Sequence, residues 1–186
     1  MDEKNRGDGT REPETDRVLH LIDGATGVIQ EIAKEIEKQR LIAADKNYDV
    51  EERLEAYEDI LDSEVGDTAL VRARNIEREV GLRQIYLKFE GGNPSGTQKD
   101  RIAFAQAMDA LRRGFDAITV ATCGNYGVAI ALAASLAGLR CIIYIPESFH
   151  TARVREMTEL GAEIVRVPPD YEGAVESSKE YAEKGE

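Results

Sequence analysis

The chain has 186 residues, 42% hydrophobic and 32% charged, which is enough apolar material for one packed domain and a small second one and too much for a wholly disordered polypeptide. Its net charge of −12, from 24 basic and 36 acidic side chains, argues against nucleic acid as a partner, because a phosphate backbone would be repelled. No apolar run approaches the roughly 18 residues that cross a bilayer, the opening MDEKNRGDGTREPETDR has no apolar leader core, and two cysteines build no disulfide scaffold, so the expectation is a protein of the reducing cytoplasm that touches no membrane. No Cys or His pair has metal-ligand spacing.

The acidic excess lies at the front: residues 1–65 carry 19 acids and 9 bases, residues 66–186 carry 17 and 15. Residues 1–14 hold too little apolar surface to offset the entropy of ordering and read as a flexible acidic tail. Residues 15–65 read as a helical segment. Val18, Leu21, Ile22, Ala25, Ile29, Ile32 and Ile36 recur at steps of three and four, weakened by Gly24 and Gly27, and a second stripe runs over Val50, Leu54, Tyr57 and Leu61. The polar faces of both stripes are acidic, which favours packing on a neighbouring domain over a membrane surface.

From Gly66 the period changes, and residues 66–186 read as an α/β region. Strand-like runs at 84–89, 117–121, 140–145 and 163–167 alternate with helical patterns at 98–113, from Tyr126 to Gly138, and at 151–160. Such βα repeats predict one parallel sheet covered by helices on both faces. Ligands in such sheets bind at the carboxyl ends of strands, so the turns after Phe89, Ala121, Ile145 and Val167 are where a site is expected.

Two of those turns carry chemistry. After IYLKF comes EGGNPSGTQKDR, in which three glycines permit unusual dihedrals, Pro94 stiffens the loop, and Lys99 arrives where a helix begins. A helix start disfavours an ammonium, and a free amine is what Schiff-base chemistry requires. Taken alone, a surface lysine at a helix start is the better reading. After AITVA come Thr122, Cys123, Gly124, Asn125, Tyr126 and Gly127, a turn whose glycines and outward N–H groups suit a carboxylate or phosphate, although many βα turns of this composition hold no ligand. Neither His20 nor His150 is placed to serve Cys123 as a base.

In combination the two turns resemble a known family. EGGNPSGTQKDR is similar to the lysine motif of fold type II pyridoxal-phosphate enzymes, the tryptophan synthase β-like superfamily, and TCGNYG to their substrate loop. VGDTALVRA, IIYIPES and LGAEIVRV resemble three further segments of that family in the same order, so the resemblance runs from about Val65 to the C-terminus. It implies pyridoxal 5'-phosphate as cofactor, Lys99 as the residue that bonds to it and moves protons at the substrate α-carbon, and Asn125 as a hydrogen-bond partner of the cofactor's 3′ oxygen. It further implies an amino-acid substrate whose carboxylate is gripped by Thr122, Cys123, Gly124 and Asn125. Asp100 and Arg101 belong to the motif, with helix capping and packing as an alternative role.

Within the family the markers are mixed. The helical prelude and RVPPDYEGAVESSKEYAE look like threonine synthases, the leading expectation, whereas KDRIA looks like cysteine synthases, the alternative. Ala69, Gln98, Cys123 and Tyr126 depart from the usual motifs and bear on the substrate more than on the cofactor. A truncated, non-catalytic α/β binding or partner domain is the competing class, and a nicotinamide site is disfavoured because no Gly-x-Gly-x-x-Gly follows a strand. The family also implies a later glycine-rich phosphate loop and a hydroxyl or thiol at the pyridine nitrogen. Nothing after Val167 supplies either, so the chain alone is expected to bind the cofactor weakly, to show little or no turnover, and either to self-associate as a homodimer or to need a complementing C-terminal chain.

Overall fold

The computed structural model describes residues 26–122, 124–168 and 170–184. The chain divides into two compact units, residues 1–37 and 38–186. Helix α1 (Thr26–Ala44) begins in the first and continues in the second, eight residues beyond the stripe that ends at Ile36. The expected tail, and the part of that stripe before Thr26, lie outside the described residues.

In the second unit, helix α2 (Val50–Glu64) starts at a reciprocal cap: the Asp49 carboxylate accepts from Glu52 N at 2.8 Å, and the Glu52 carboxylate accepts from Asp49 N at 3.2 Å. Its inward stripe buries Ala56, Tyr57 and Ile60 completely or nearly so. Tyr57 stacks on Phe104 with ring centroids 6.0 Å apart, and its hydroxyl donates to Ala133 O at 3.1 Å. Burial pushes the Tyr57 phenol well above its ordinary value, so it stays a donor. Arg53, also buried, donates to Ala43 O (3.0 Å) and Ala137 O (2.7 Å).

Strands β1 (Leu70–Arg72) and β2 (Tyr86–Lys88) flank the short helix α3 (Arg74–Val80) and pair antiparallel in a two-stranded sheet of their own. This corrects the expectation that residues 84–89 open the parallel sheet. The reason is local: Glu77 takes Arg72 Nε (2.8 Å) and Nη2 (3.0 Å) together with Ile85 N (2.9 Å), which folds the segment back on the chain just before it.

A 3-10 turn (Glu90–Gly92) leads to α4 (Lys99–Arg112), followed by β3 (Ala117–Ala121), α5 (Asn125–Leu136), β4 (Arg140–Pro146), α6 (Arg153–Glu159), β5 (Glu163–Val167) and α7 (Tyr171–Lys184). The last three strands form a parallel sheet in the order β3-β4-β5, with Thr119 beside Ile142 and Ile142 beside Glu163. The class is therefore α/β as expected, with three parallel strands rather than four. Central β4 is apolar without a break because both faces are covered: Cys141, Ile143 and Ile145 join the core with α4 and α5, while Ile142 and Tyr144 pack with Ala174 of α7. Helix α5 is apolar nearly all round, as a buried helix is. It ends near Gly138 (φ +63°), where a Cβ would lie 2.2 Å from Ala44 O. Among the described residues no helix is long and apolar enough to cross a membrane.

Candidate active site

Lys99 is the first residue of α4, and its position is set by the loop before it. Buried Asn93 donates to Glu90 O (2.9 Å) and Oε2 (3.0 Å) and accepts from Gly66 N at 3.0 Å. Asp100, fully buried, accepts from Ser95 N at 2.9 Å, and Lys99 N donates to Thr97 Oγ1 at 3.1 Å. Arg101 grips Glu90 with Nε and Nη2 (2.8 and 3.0 Å) and reaches Gly66 O at 2.9 Å. The guanidinium of Arg101 holds the Glu90 carboxyl far down, at about 2. In this ligand-free geometry Asp100 and Arg101 thus brace the loop, the capping and packing role that their sequence context allows.

The second turn follows β3. Thr122, buried, donates its N–H to Tyr144 O at 3.2 Å, which carries the strand pairing one residue past Ala121. Helix α5 begins at Asn125 with its first turn closed by Gly127 N on Gly124 O at 2.9 Å. At Gly127 a Cβ would lie 2.5 Å from Met157 Cε and 2.9 Å from Sδ, so the end of the Met157 side chain would have to move to admit one. Gly124 is different, since a Cβ there would meet nothing within 4 Å. The space beside it is open.

That space is a cleft of about 630 Å³ whose walls include Lys99, Thr122, Gly124 and Asn125, so two turns 23 residues apart in sequence meet at one hollow. Cys123 lies outside the described residues. Ile102, Ala121, Tyr126 and Tyr171 complete the walls. Tyr171 donates to Ala121 O at 3.1 Å, and the Tyr126 hydroxyl donates to Gln106 Oε1. Burial raises the Tyr126 phenol, so it too remains protonated. A larger hollow of about 830 Å³ beside β3 shares Tyr126 but holds neither Lys99 nor Thr122, and the smaller cleft is the one with convergent polar groups. Among the described residues, no His, Cys, Asp or Glu cluster could hold a metal ion.

Two contributors were not legible in the motifs. Tyr171 reaches the cleft from the start of α7, and Arg153, from α6, donates to Asn125 Oδ1. The bound aldehyde that the motifs call for needs an amine, a donor to its ring oxygen and room for a ring. Lys99, the amide of Asn125 and the open space beside Gly124 fit that requirement.

Comparison with known proteins identifies the family. The family model described as "Pyridoxal-phosphate dependent enzyme" matches residues 61–186, and the chain belongs to that family. The chain is 43% identical over 115 residues to cystathionine beta-synthase of Oryctolagus cuniculus, covering 59% of this chain and 21% of that protein. It is 35% identical over 132 residues to cysteine synthase B of Escherichia coli, covering 68% and 43%. The structure of a pyridoxal 5'-phosphate-dependent aspartate racemase superposes with a TM-score of 0.61 at 26% identity, covering 70% of this chain and 41% of that one. The chain thus spans between about a fifth and two fifths of the length of these relatives. Pyridoxal phosphate is the cofactor of the family, as the motifs imply. The two sequence relatives support the cysteine synthase-like alternative more than the threonine synthase-like expectation.

Proposed function

We propose that residues 66–186 carry the lysine side of a pyridoxal-phosphate active site that acts on an amino acid by replacement at its side chain, in the manner of a cysteine synthase. The observation that supports this most directly is the meeting of Lys99 with Thr122, Gly124 and Asn125 at one cleft. Pyridoxal phosphate, when bound, supplies an electron sink for charge developing at the substrate α-carbon. Lys99 Nζ anchors the cofactor and takes, then returns, the proton at that carbon. The Thr122 hydroxyl, Cys123, and the N–H groups at the start of α5 seat the substrate carboxylate, where the positive end of the helix dipole favours an anion. Asn125 donates to the cofactor's ring oxygen. Ile102, Tyr126 and Tyr171 complete the walls of the site.

Turnover on this reading takes place in the cytoplasm. It involves a further polypeptide, a second copy or a complementing chain. Among the described strands β3 pairs on one side only, with β4, and the 830 Å³ hollow runs along its other side, which supports association there. The test of the site is borohydride reduction in the presence of pyridoxal phosphate, followed by peptide mass spectrometry. A pyridoxyl group on Lys99, absent from Lys99→Ala, is the expected result. A group on Lys88 or Lys179, or none at all, refutes the reading.

A further inference from the structure

An asparagine amide has two nearly isosteric orientations, one presenting a carbonyl oxygen and the other an NH2 group. Which of them faces the cleft decides whether Asn125 can donate to a ring oxygen or would repel it. The structure contains a device that chooses. Arg153 Nη1 lies 2.5 Å from Asn125 Oδ1. A guanidinium carries donors and no acceptor, so the amide atom facing it must be the oxygen, and the NH2 group is directed elsewhere.

Arg153 does not float. It sits at the start of α6, and Glu156 holds it with two bonds, Nε to Oε1 at 3.2 Å and Nη2 to Oε2 at 2.8 Å. Thr151 Oγ1 accepts its backbone N–H at 3.2 Å. With Nε and Nη2 engaged on Glu156, Nη1 is the corner of the fork presented to Asn125. The side chain of Arg153 is 25% exposed, and its bond to Asn125 lies at the protein surface. Nothing between Asn125 and Arg153 in sequence announces this pairing, since the partners stand 28 residues apart.

We infer that Arg153, braced by Glu156, is a positioning residue that locks the Asn125 amide with its NH2 group toward the cleft. The inference rests on the proposed role of Asn125 as a donor to the cofactor. Without the guanidinium the amide samples both orientations, and the one with Oδ1 toward an anionic ring oxygen is repulsive. The loss is thus of orientation, not of a contact to the ligand.

The experiment uses the full chain and two readouts. In the ligand-free protein, the side-chain NH2 resonances of Asn125 in a proton–nitrogen correlation spectrum report the amide's environment. Arg153→Met should shift them, while Arg153→Lys, also a donor without an acceptor, should leave them near their original positions. With pyridoxal phosphate added, Arg153→Met should weaken binding roughly five- to tenfold, the size of one lost oriented hydrogen bond. It should also displace the visible band of the lysine-bound cofactor in the direction that Asn125→Ala displaces it. Arg153→Lys should restore most of both. The double variant Arg153→Met with Asn125→Ala should be no weaker than Asn125→Ala alone. Additive losses, or an Arg153→Met protein that keeps the parental band, affinity and Asn125 resonances, would overturn the inference. A wild-type chain without a borohydride-trapped pyridoxyl group on Lys99 would instead overturn the proposed function and this inference with it. That outcome is distinct, because it is visible before any Arg153 variant is made.

Discussion

Arg53→Met removes a guanidinium while keeping most of the aliphatic stem, and the structure gives a definite expectation for it. Arg53 is buried on α2, and its two bonds go to the carbonyls of Ala43, in the last turn of α1, and of Ala137, the C-terminal cap of α5. Both acceptors lie at the negative ends of helices, so one cation serves two dipoles as well as two hydrogen bonds. A bond to a charged group contributes about 1.5–3 kcal/mol, and two bonds from one group are not independent, so the variant should lose about 2–4 kcal/mol. For a domain of this size each kcal/mol lowers the melting temperature by about 2–4 °C, giving a fall of about 5–15 °C. Circular dichroism melts and urea titrations of the wild type, Arg53→Met and Arg53→Lys would read it. Lysine, a point charge that reaches one carbonyl well, should fall between the other two. An Arg53→Met melt within about 1 °C of the wild type would refute the argument. It would mean that α2 is laid against the α/β body without being tied to it.

Lys99→Ala should abolish pyridoxyl labelling while changing the melting temperature little, because the exposed side chain is removed while the backbone bond from Lys99 N to Thr97 Oγ1 stays, a change of within about 0.5 kcal/mol; a large loss of stability would show that Lys99 holds the loop rather than the ligand. Gly127→Ala should cost about 1–3 kcal/mol through the clash of its Cβ with Met157 Cε at 2.5 Å, and adding Met157→Ala should recover less than the full loss because it opens a cavity of its own. The Glu90 carboxyl is depressed to about 2, chiefly by its bond to Arg101, so its contribution is complete above the ordinary carboxylate value of about 4.3 and disappears as pH falls toward 2. Arg101→Met should therefore lower stability at neutral pH and make the loss of stability between about pH 4.3 and 2 shallower; an unchanged acid limb would refute it.

What the sequence discloses and what it hides divides along a physical line. Strands β3 and β5 fall at the positions their apolar runs predict, and β4, which is buried on both faces and so apolar in consecutive residues, extends one residue further. Helix α4 begins one residue inside the expected range, since glycine and proline in the preceding loop mark where the chain must turn before it can coil. Strand β2 falls within the run at 84–89, but β1 and the antiparallel pairing of the β1–β2 hairpin left no such trace. Its six residues are all exposed, its strands are three residues long, and its pairing is decided by Glu77 bonding to Arg72 and Ile85. Exposed short strands carry no burial signal, and a carboxylate that reaches five and eight residues away looks in sequence like any surface glutamate.

The site divides in the same way. Lys99, Thr122, Gly124 and Asn125, which meet at the cleft, stand out in sequence because each lies in or just after a glycine-containing turn that leads into a helix. Arg153 was not visible, because its neighbours in sequence are helix residues with no distinguishing constraint, and its meaning arises when α6 is laid against the start of α5. That packing depends on Gly127, whose missing side chain lets Met157 of α6 sit against α5. A single absent methyl group therefore bears on two things at once, the closeness of the two helices and the reach of Arg153 to Asn125. Gly127→Ala should therefore disturb the Asn125 NH2 resonances as Arg153→Met does, although neither partner of the bond is changed. Resonances unmoved by Gly127→Ala, in a protein whose stability has fallen, would show that the two helices tolerate separation without losing the contact.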